Sequence, residues 1–193
     1  MGGVECDVGK GVTPIAVRWV GAVLTGGSSH RMGRDKATLE LGGVAMAVRV
    51  ASALQEAGAD EVVCVGPAVG ALKGIGEDEL GAGPLGAIVA AIRWADGRAV
   101  AIGACDLIHP SAEVFAAVVN ALGDREASVP RSAGRLQPLV AAYAPGALPL
   151  LAAAFARGER SITAALSELD VAELRDIQPG ALADADEPGD LGR

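Results

Sequence analysis

Aromatic side chains are scarce: Phe, Trp and Tyr make up 3% of the 193 residues, although 51% are hydrophobic. A core with so few rings has to be filled by Ala, Val, Leu and Ile at close range, which suits short buried strands under tightly docked helices. Positive charge is also in the minority. Sixteen Lys and Arg against 24 Asp and Glu leave a formal net charge of −8. The chain therefore has no general electrostatic attraction for nucleic acid or an anionic membrane, and a phosphate site has to be a local basic exception. The cysteines, Cys6, Cys64 and Cys105, are odd in number and lack C-x-x-C spacing. That pattern excludes a disulfide framework and a zinc site and points to reduced thiols in the cytoplasm. No apolar run approaches the length of a membrane span. Residues 1–17 contain Glu, Asp, Lys and Pro, unlike a signal peptide, and are expected to be a flexible leader before a single domain, 18–193.

Strand and helix signals alternate along that domain. Val20–Leu24 is a short apolar run stopped by Thr25-Gly26-Gly27, as a buried first strand requires. A helix is expected over 44–57, with Val44, Ala47, Val48, Ala51 and Leu54 on one face, and a second strand over 61–66. A helix over 84–94 has Pro84 in its first turn, and the strand 98–104 follows, ending near Asp106. Ser111 is an N-cap for a helix to about Leu122. Strands are expected near 127–130, 136–143 and 173–178, and helices near 146–157 and 161–169. This order predicts a Rossmann-like three-layer α/β/α fold with a mostly parallel sheet. Ligands of such sheets bind beyond the carboxyl ends of the strands, where the loops after Leu24 and Ala104 emerge.

The segment from Leu24 to Lys36, LTGGSSHRMGRDK, is the basic exception. Gly26, Gly27 and Gly33 free the backbone to turn and bring its N–H groups to a ligand. Ser28 and Ser29 add hydroxyls, and Arg31, Arg34 and Lys36 concentrate positive charge. Backbone donors with guanidinium and ammonium groups suit a triphosphate. The loop is neither a Walker A motif, since Arg-Asp-Lys follows Gly33, nor the G-x-G-x-x-G dinucleotide fingerprint. No Ser-His or Cys-His constellation suggests a protein nucleophile.

The pattern L-T-G-G-x-S-x-R-M-G-x-D-K resembles the signature of the MobA-like molybdenum cofactor guanylyltransferases. These enzymes move GMP from GTP to molybdopterin cofactor and release pyrophosphate. The resemblance implies that Leu24, Thr25, Gly26 and Gly27 bind the nucleotide, the first three through backbone, and that Lys36 holds its phosphates, with Arg31 neutralising charge. By position alone Asp106, at a strand's carboxyl end, is either a Mg2+ ligand or an acidic residue stabilising the helix that follows. The family's C-D motif favours the metal. Leu107-Ile108-His109-Pro110 departs from the family, which has proline two residues after the aspartate. His109 reads as a loop residue.

Glu77-Asp78-Glu79 precedes Gly83-Pro84-Leu85, where the family carries an acidic residue that recognises guanine. One carboxylate can accept from guanine N1–H and N2–H2 together, whereas cytosine presents an acceptor at N3. Asp78 is the candidate, with Glu77 and Glu79 as alternatives. RLQPLVAAY, residues 135–143, and Gly158-Glu-Arg-Ser-Ile162 resemble the family's R-x-x-P-L-x-A-x-Y and G-x-R-S segments. They are either an edge strand carrying Pro138 and a helix capped by Ser161, or the acceptor side of the site with Arg135 as a phosphate ligand. Asp184-Ala-Asp-Glu-Pro-Gly-Asp-Leu191 stands where the family has N-x-N-T-P-E-D-L. Asp186 is a second metal ligand or part of a solvated acidic tail.

The expectation is thus a Mg2+-dependent guanylyltransferase, its N-terminal half binding GTP and its C-terminal half the molybdopterin acceptor. Molybdenum cofactor-handling proteins are possible partners; nucleic acid and membrane are not expected. The competing readings are a CTP-dependent cytidylyltransferase and a protein that delivers cofactor without transferring anything.

Overall fold

The computed structural model describes residues 18–26, 36–76 and 83–175, with residues 177 and 182. They form an eight-stranded sheet with helices on both faces. β1 (Trp19–Leu24) leads through a 3-10 turn, Lys36–Thr38, to a small hairpin of β2 (Glu40–Leu41) and β3 (Val44–Ala45). α1 (Met46–Glu56), β4 (Val62–Val65) and β5 (Gly74–Ile75) follow, then α2 (Gly83–Trp94) and β6 (Ala99–Ala104). The remainder is α3 (Ala112–Leu122), β7 (Ala127–Ser132), β8 (Arg135–Leu136), β9 (Val140–Tyr143), α4 (Ala147–Ala156), α5 (Ile162–Ala165) and β10 (Val171–Leu174). Among these residues no helix is long and apolar enough to cross a membrane.

The main sheet runs β10-β7-β9-β6-β1-β4-β5, with β8 paired to β7. Its long strands are parallel except β9, which is antiparallel to both β6 and β7. Alternation along each strand sends successive residues to opposite faces. Val20, Ala22, Val63, Val100 and Ile102 join the core under α2 and α4, and Trp19, Val23, Cys64 and Ala101 the core under α1 and α3. α2 carries an unbroken buried stretch from Leu85 to Ile92 because the sheet covers one side and α4 and α5 the other.

Small residues bring α1 unusually close to the sheet. A methyl at Gly21 would sit 3.0 Å from Val62 Cγ2 and 3.1 Å from Leu54 Cβ. At Gly103 it would sit 2.5 Å from Val50 Cγ1 and 3.1 Å from Phe115 Cζ.

Four expectations are corrected. Val44 does not begin the first helix. Gly42 and Gly43, at φ +65° and +79°, close a two-residue hairpin turn that pairs Leu41 with Val44. Val44 is left 44% exposed, and Val48 only half-buried. The strand expected at 136–143 is broken by a turn at Pro138-Leu139, and Tyr143 Oη donates to the Pro138 carbonyl at 2.8 Å. Its longer part, β9, is interior rather than an edge strand. Finally, the last strand lies at Val171–Leu174, drawn toward the N-terminal side of 173–178 by pairing with Ala127–Pro130.

The close contact at Gly103 predicts that Gly103→Ala costs about 1–3 kcal/mol through overpacking. Urea denaturation checks this; a midpoint equal to wild type would contradict it.

Candidate active site

The winding of the sheet determines where a ligand can bind. From β1 the chain crosses by α1 to β4 on one side, then returns by α2 to β6 on the other. This reversal opens a crevice beyond the carboxyl ends of β1 and β6, the general ligand position in open α/β sheets. Leu24 is in register with Val65 of β4 and Ala104 of β6. The three strands end level, so Thr25, Gly66 and Cys105-Asp106 all emerge at this edge.

The first turn after β1 is fastened to the end of β4. The amides of Thr25 and Gly26 both donate to the Val65 carbonyl, at 3.0 and 2.9 Å. The buried Thr25 hydroxyl donates to the Pro67 carbonyl at 2.8 Å and lies 3.2 Å from that of Val65. Cys64 also contacts this hydroxyl. Burial pushes the Cys64 thiol pKa up, outweighing hydrogen bonds from Val69 and Thr25, and keeps it an uncharged core residue. The Thr25 side chain and amide are therefore committed to the protein.

Asp106 is half-buried in the turn after β6, between Cys105 and the buried Leu107. It is not the N-cap of α3. Ser111 has that place, its Oγ accepting from Val114 N at 3.3 Å. The same hydroxyl donates to Glu113 at 2.6 Å and lowers that carboxyl's pKa. No cluster of three or more metal-ligating side chains occurs among the described residues. One carboxylate at the carboxyl end of a central strand nonetheless fits a hard cation such as Mg2+, which takes one or two carboxylates and completes its shell with substrate phosphates and water.

Arg135 is exposed on the β7–β8 hairpin, where it pairs with Ser132. The hairpin lies at the sheet's carboxyl edge because β7 is parallel to β6, and β8 leads into β9, the neighbour of β6. Arg131 anchors it: its guanidinium donates to both Glu173 oxygens, at 3.0 and 2.8 Å, and to the Gly134 carbonyl at 2.7 Å. Sequence reading missed this pair, which spans 42 residues and carries no local signal. The turn at Gly158–Ser161 is also close to the crevice elements, since a side chain at Gly83 would meet the Arg160 carbonyl at 3.4 Å.

Gly27, Arg31, Asp78 and Asp186, and the side chain of Lys36, lie outside the described residues. The backbone of Lys36 opens the 3-10 turn, and Ala37 behind it is buried in the core under α1.

A mostly parallel sheet whose first strand opens into a glycine-rich, basic sequence at the switch point, with a carboxylate on the adjoining strand end, is the plan of a class: the nucleotidyltransferases of Rossmann-like fold. The comparisons give the particular family. Residues 21–171 match the MobA-like NTP transferase domain, and the chain belongs to that family. It is 39% identical over 150 residues to a probable molybdenum cofactor guanylyltransferase of Opitutus terrae, covering 74% of each chain. It is 31% identical over 187 residues to the molybdenum cofactor guanylyltransferase of Rhodobacter capsulatus, covering 92% of this chain and 95% of the relative. In fold it is similar to molybdopterin-guanine dinucleotide biosynthesis protein A of Archaeoglobus fulgidus (TM-score 0.73, 24% identity, 89% of this chain and 94% of that one). The 2-C-methyl-D-erythritol 4-phosphate cytidylyltransferase of Thermus thermophilus shares the fold at TM-score 0.65 and 19% identity, over 89% of this chain and 94% of that one.

The anchor of the Arg135 hairpin is pH-dependent. Its hydrogen bond from Arg131 holds the Glu173 carboxyl below the usual range. A lowered folded pKa stabilises above the unfolded value, about 4.3, and that contribution is lost as pH falls through the folded value. Glu173→Gln should flatten the part of the stability-versus-pH curve below about pH 4.3. Chemical denaturation at stepped pH checks this, and an unchanged acid limb would refute it.

Proposed function

We propose that this protein transfers GMP from GTP to molybdopterin cofactor, releasing pyrophosphate. The reading is carried by the level strand ends that bring the loop after β1 and Asp106 to one crevice, in a chain whose relatives bear the guanylyltransferase name. In this reading the N-terminal half holds the donor and the C-terminal half the acceptor.

The donor lies against Leu24, Thr25, Gly26 and Gly27. Because the Thr25 and Gly26 amides are already used by Val65, contact at those two positions comes from carbonyl oxygens and the Cα surface. Lys36 and Arg31 neutralise the phosphates, and Asp78 accepts from guanine N1–H and N2–H2. Asp106, with Asp186 as a second candidate, holds Mg2+, which when bound screens the charge of the phosphate oxygens. Arg135 meets the acceptor's phosphate.

The acceptor's phosphate monoester oxygen attacks the α-phosphorus in line. The new P–O bond forms as the bond to the β-phosphate oxygen breaks, and pyrophosphate carries away the electron pair. A phosphate monoester with a second pKa near 6 is already largely dianionic at neutral pH, so no protein base is required. The protein's work is positioning and charge neutralisation.

Pyrophosphate release with each NTP and molybdopterin cofactor tests the assignment, with GTP expected to be the preferred donor. A preference for CTP would make the chain a cytidylyltransferase, and GTP binding without turnover would make it a delivery protein. Lys36→Ala and Asp106→Asn should each lower kcat/KM by about 100-fold or more while circular dichroism stays native. Near-normal kinetics in either would remove that residue from the mechanism.

A further inference from the structure

Gly66, the residue after β4, belongs to no motif singled out in the sequence. Its φ is +114°, and its amide donates to the Ile75 carbonyl at 2.9 Å. A Cβ at this position would lie 2.4 Å from Gly26 N, 2.8 Å from Gly26 Cα and 3.1 Å from the Thr25 carbonyl carbon. These are backbone atoms and cannot rotate away. On the far side of Gly66 the contact is repeated: a Cβ at Gly74 would lie 2.6 Å from Gly66 O and 2.9 Å from Ala68 N. Three bare backbones therefore stack in contact, from the base of the glycine loop through the end of β4 to the edge strand β5. The hydrogen bonds from Thr25 and Gly26 to Val65 and Pro67 clasp the same junction. β5 in turn leads directly toward Glu77-Asp78-Glu79.

We infer that Gly66 is a positioning residue for the nucleotide donor: by lacking a side chain it lets the loop after β1 seat against β4, and so fixes where that loop meets its ligand. The inference rests on the reading of residues 24–36 as the donor loop. Gly66 itself touches no substrate in this account and acts through Gly26 and Thr25. Relieving a 2.4 Å contact to ordinary van der Waals distance moves the loop by about 1 Å, a displacement that can cost about 100-fold in rate.

The test compares Gly66→Ala with Gly58→Ala. Gly58 ends α1 at φ +105°, and nothing lies within 4 Å of a Cβ there. The two variants thus share the backbone strain of a left-handed residue but differ in contact with the loop. Urea midpoints, Mg-GTP affinity by calorimetry, and kcat and KM by pyrophosphate release are measured for both and for wild type. Both variants should lose stability, whereas only Gly66→Ala should raise the GTP Kd and KM, lowering kcat/KM at least tenfold. A purely structural defect would reduce the active fraction, and with it kcat, and leave KM in place.

A Gly66→Ala enzyme whose KM and kcat/KM stay within twofold of Gly58→Ala overturns the inference. Should Gly66→Ala fail to fold, Gly74→Ala applies the same push one layer further out, and an unchanged donor KM there overturns it equally. A wild-type chain that binds no nucleotide sinks the donor-loop reading itself. That outcome is distinct from a wild type that uses GTP alongside an indifferent Gly66→Ala.

Discussion

The alignment of β1 with its two neighbours, Leu24 level with Val65 on one side and Ala104 on the other, is the constraint on which the ligand edge depends. Parallel strands have no turn to fix their register, so side-chain packing on the two faces has to do it. Here the alternation of Val20, Ala22 and Leu24 against Trp19 and Val23 does so, because a slip of one residue would exchange the two cores. With register fixed, the loop after β1 and the turn carrying Asp106 leave the sheet side by side. The reversal of winding at β1 keeps a helix from closing over them.

Small side chains make that alignment compatible with a close-packed interior. The cores contain few rings; Phe115 and Tyr143 are the largest fully buried ones among the described residues. Helices therefore sit near the sheet, and glycine appears at two of the points of closest approach, Gly21 and Gly103. Tyr143 carries a polar group into this apolar mass. Its hydroxyl is satisfied by the Pro138 carbonyl, as a buried phenol requires, and burial raises its pKa.

Much of the fold was readable from local signals. The apolar runs stopped by glycine or aspartate became β1, β4 and β6, and the two serine caps are real: Ser111 accepts from Val114 N and Ser161 from Ala164 N, each at 3.3 Å. What was not readable depended on partners distant in sequence. The apolar residue Val44 fits a helical face equally well, and only the two glycines before it mark a hairpin. The interior place of β9 follows from strand order, which periodicity does not contain. For the site, loop composition pointed to phosphate chemistry. It could not reveal that the Thr25 hydroxyl faces Pro67, because that contact spans 42 residues. Family resemblance supplied roles for Arg31, Asp78 and Asp186 that the described residues leave as proposals.

The antiparallel strand β9 has a consequence for how two substrates could share this molecule. It is hydrogen-bonded to β6 on one side and β7 on the other, so the strands of the two halves belong to one continuous sheet. A sheet joined through its middle has no linker about which one half could swing. The spacing between the end of β1 and the hairpin carrying Arg135 is accordingly a fixed dimension of the fold, like the jaws of a set gauge. Two ligands bound at that edge would be selected by whether their combined length spans the gap.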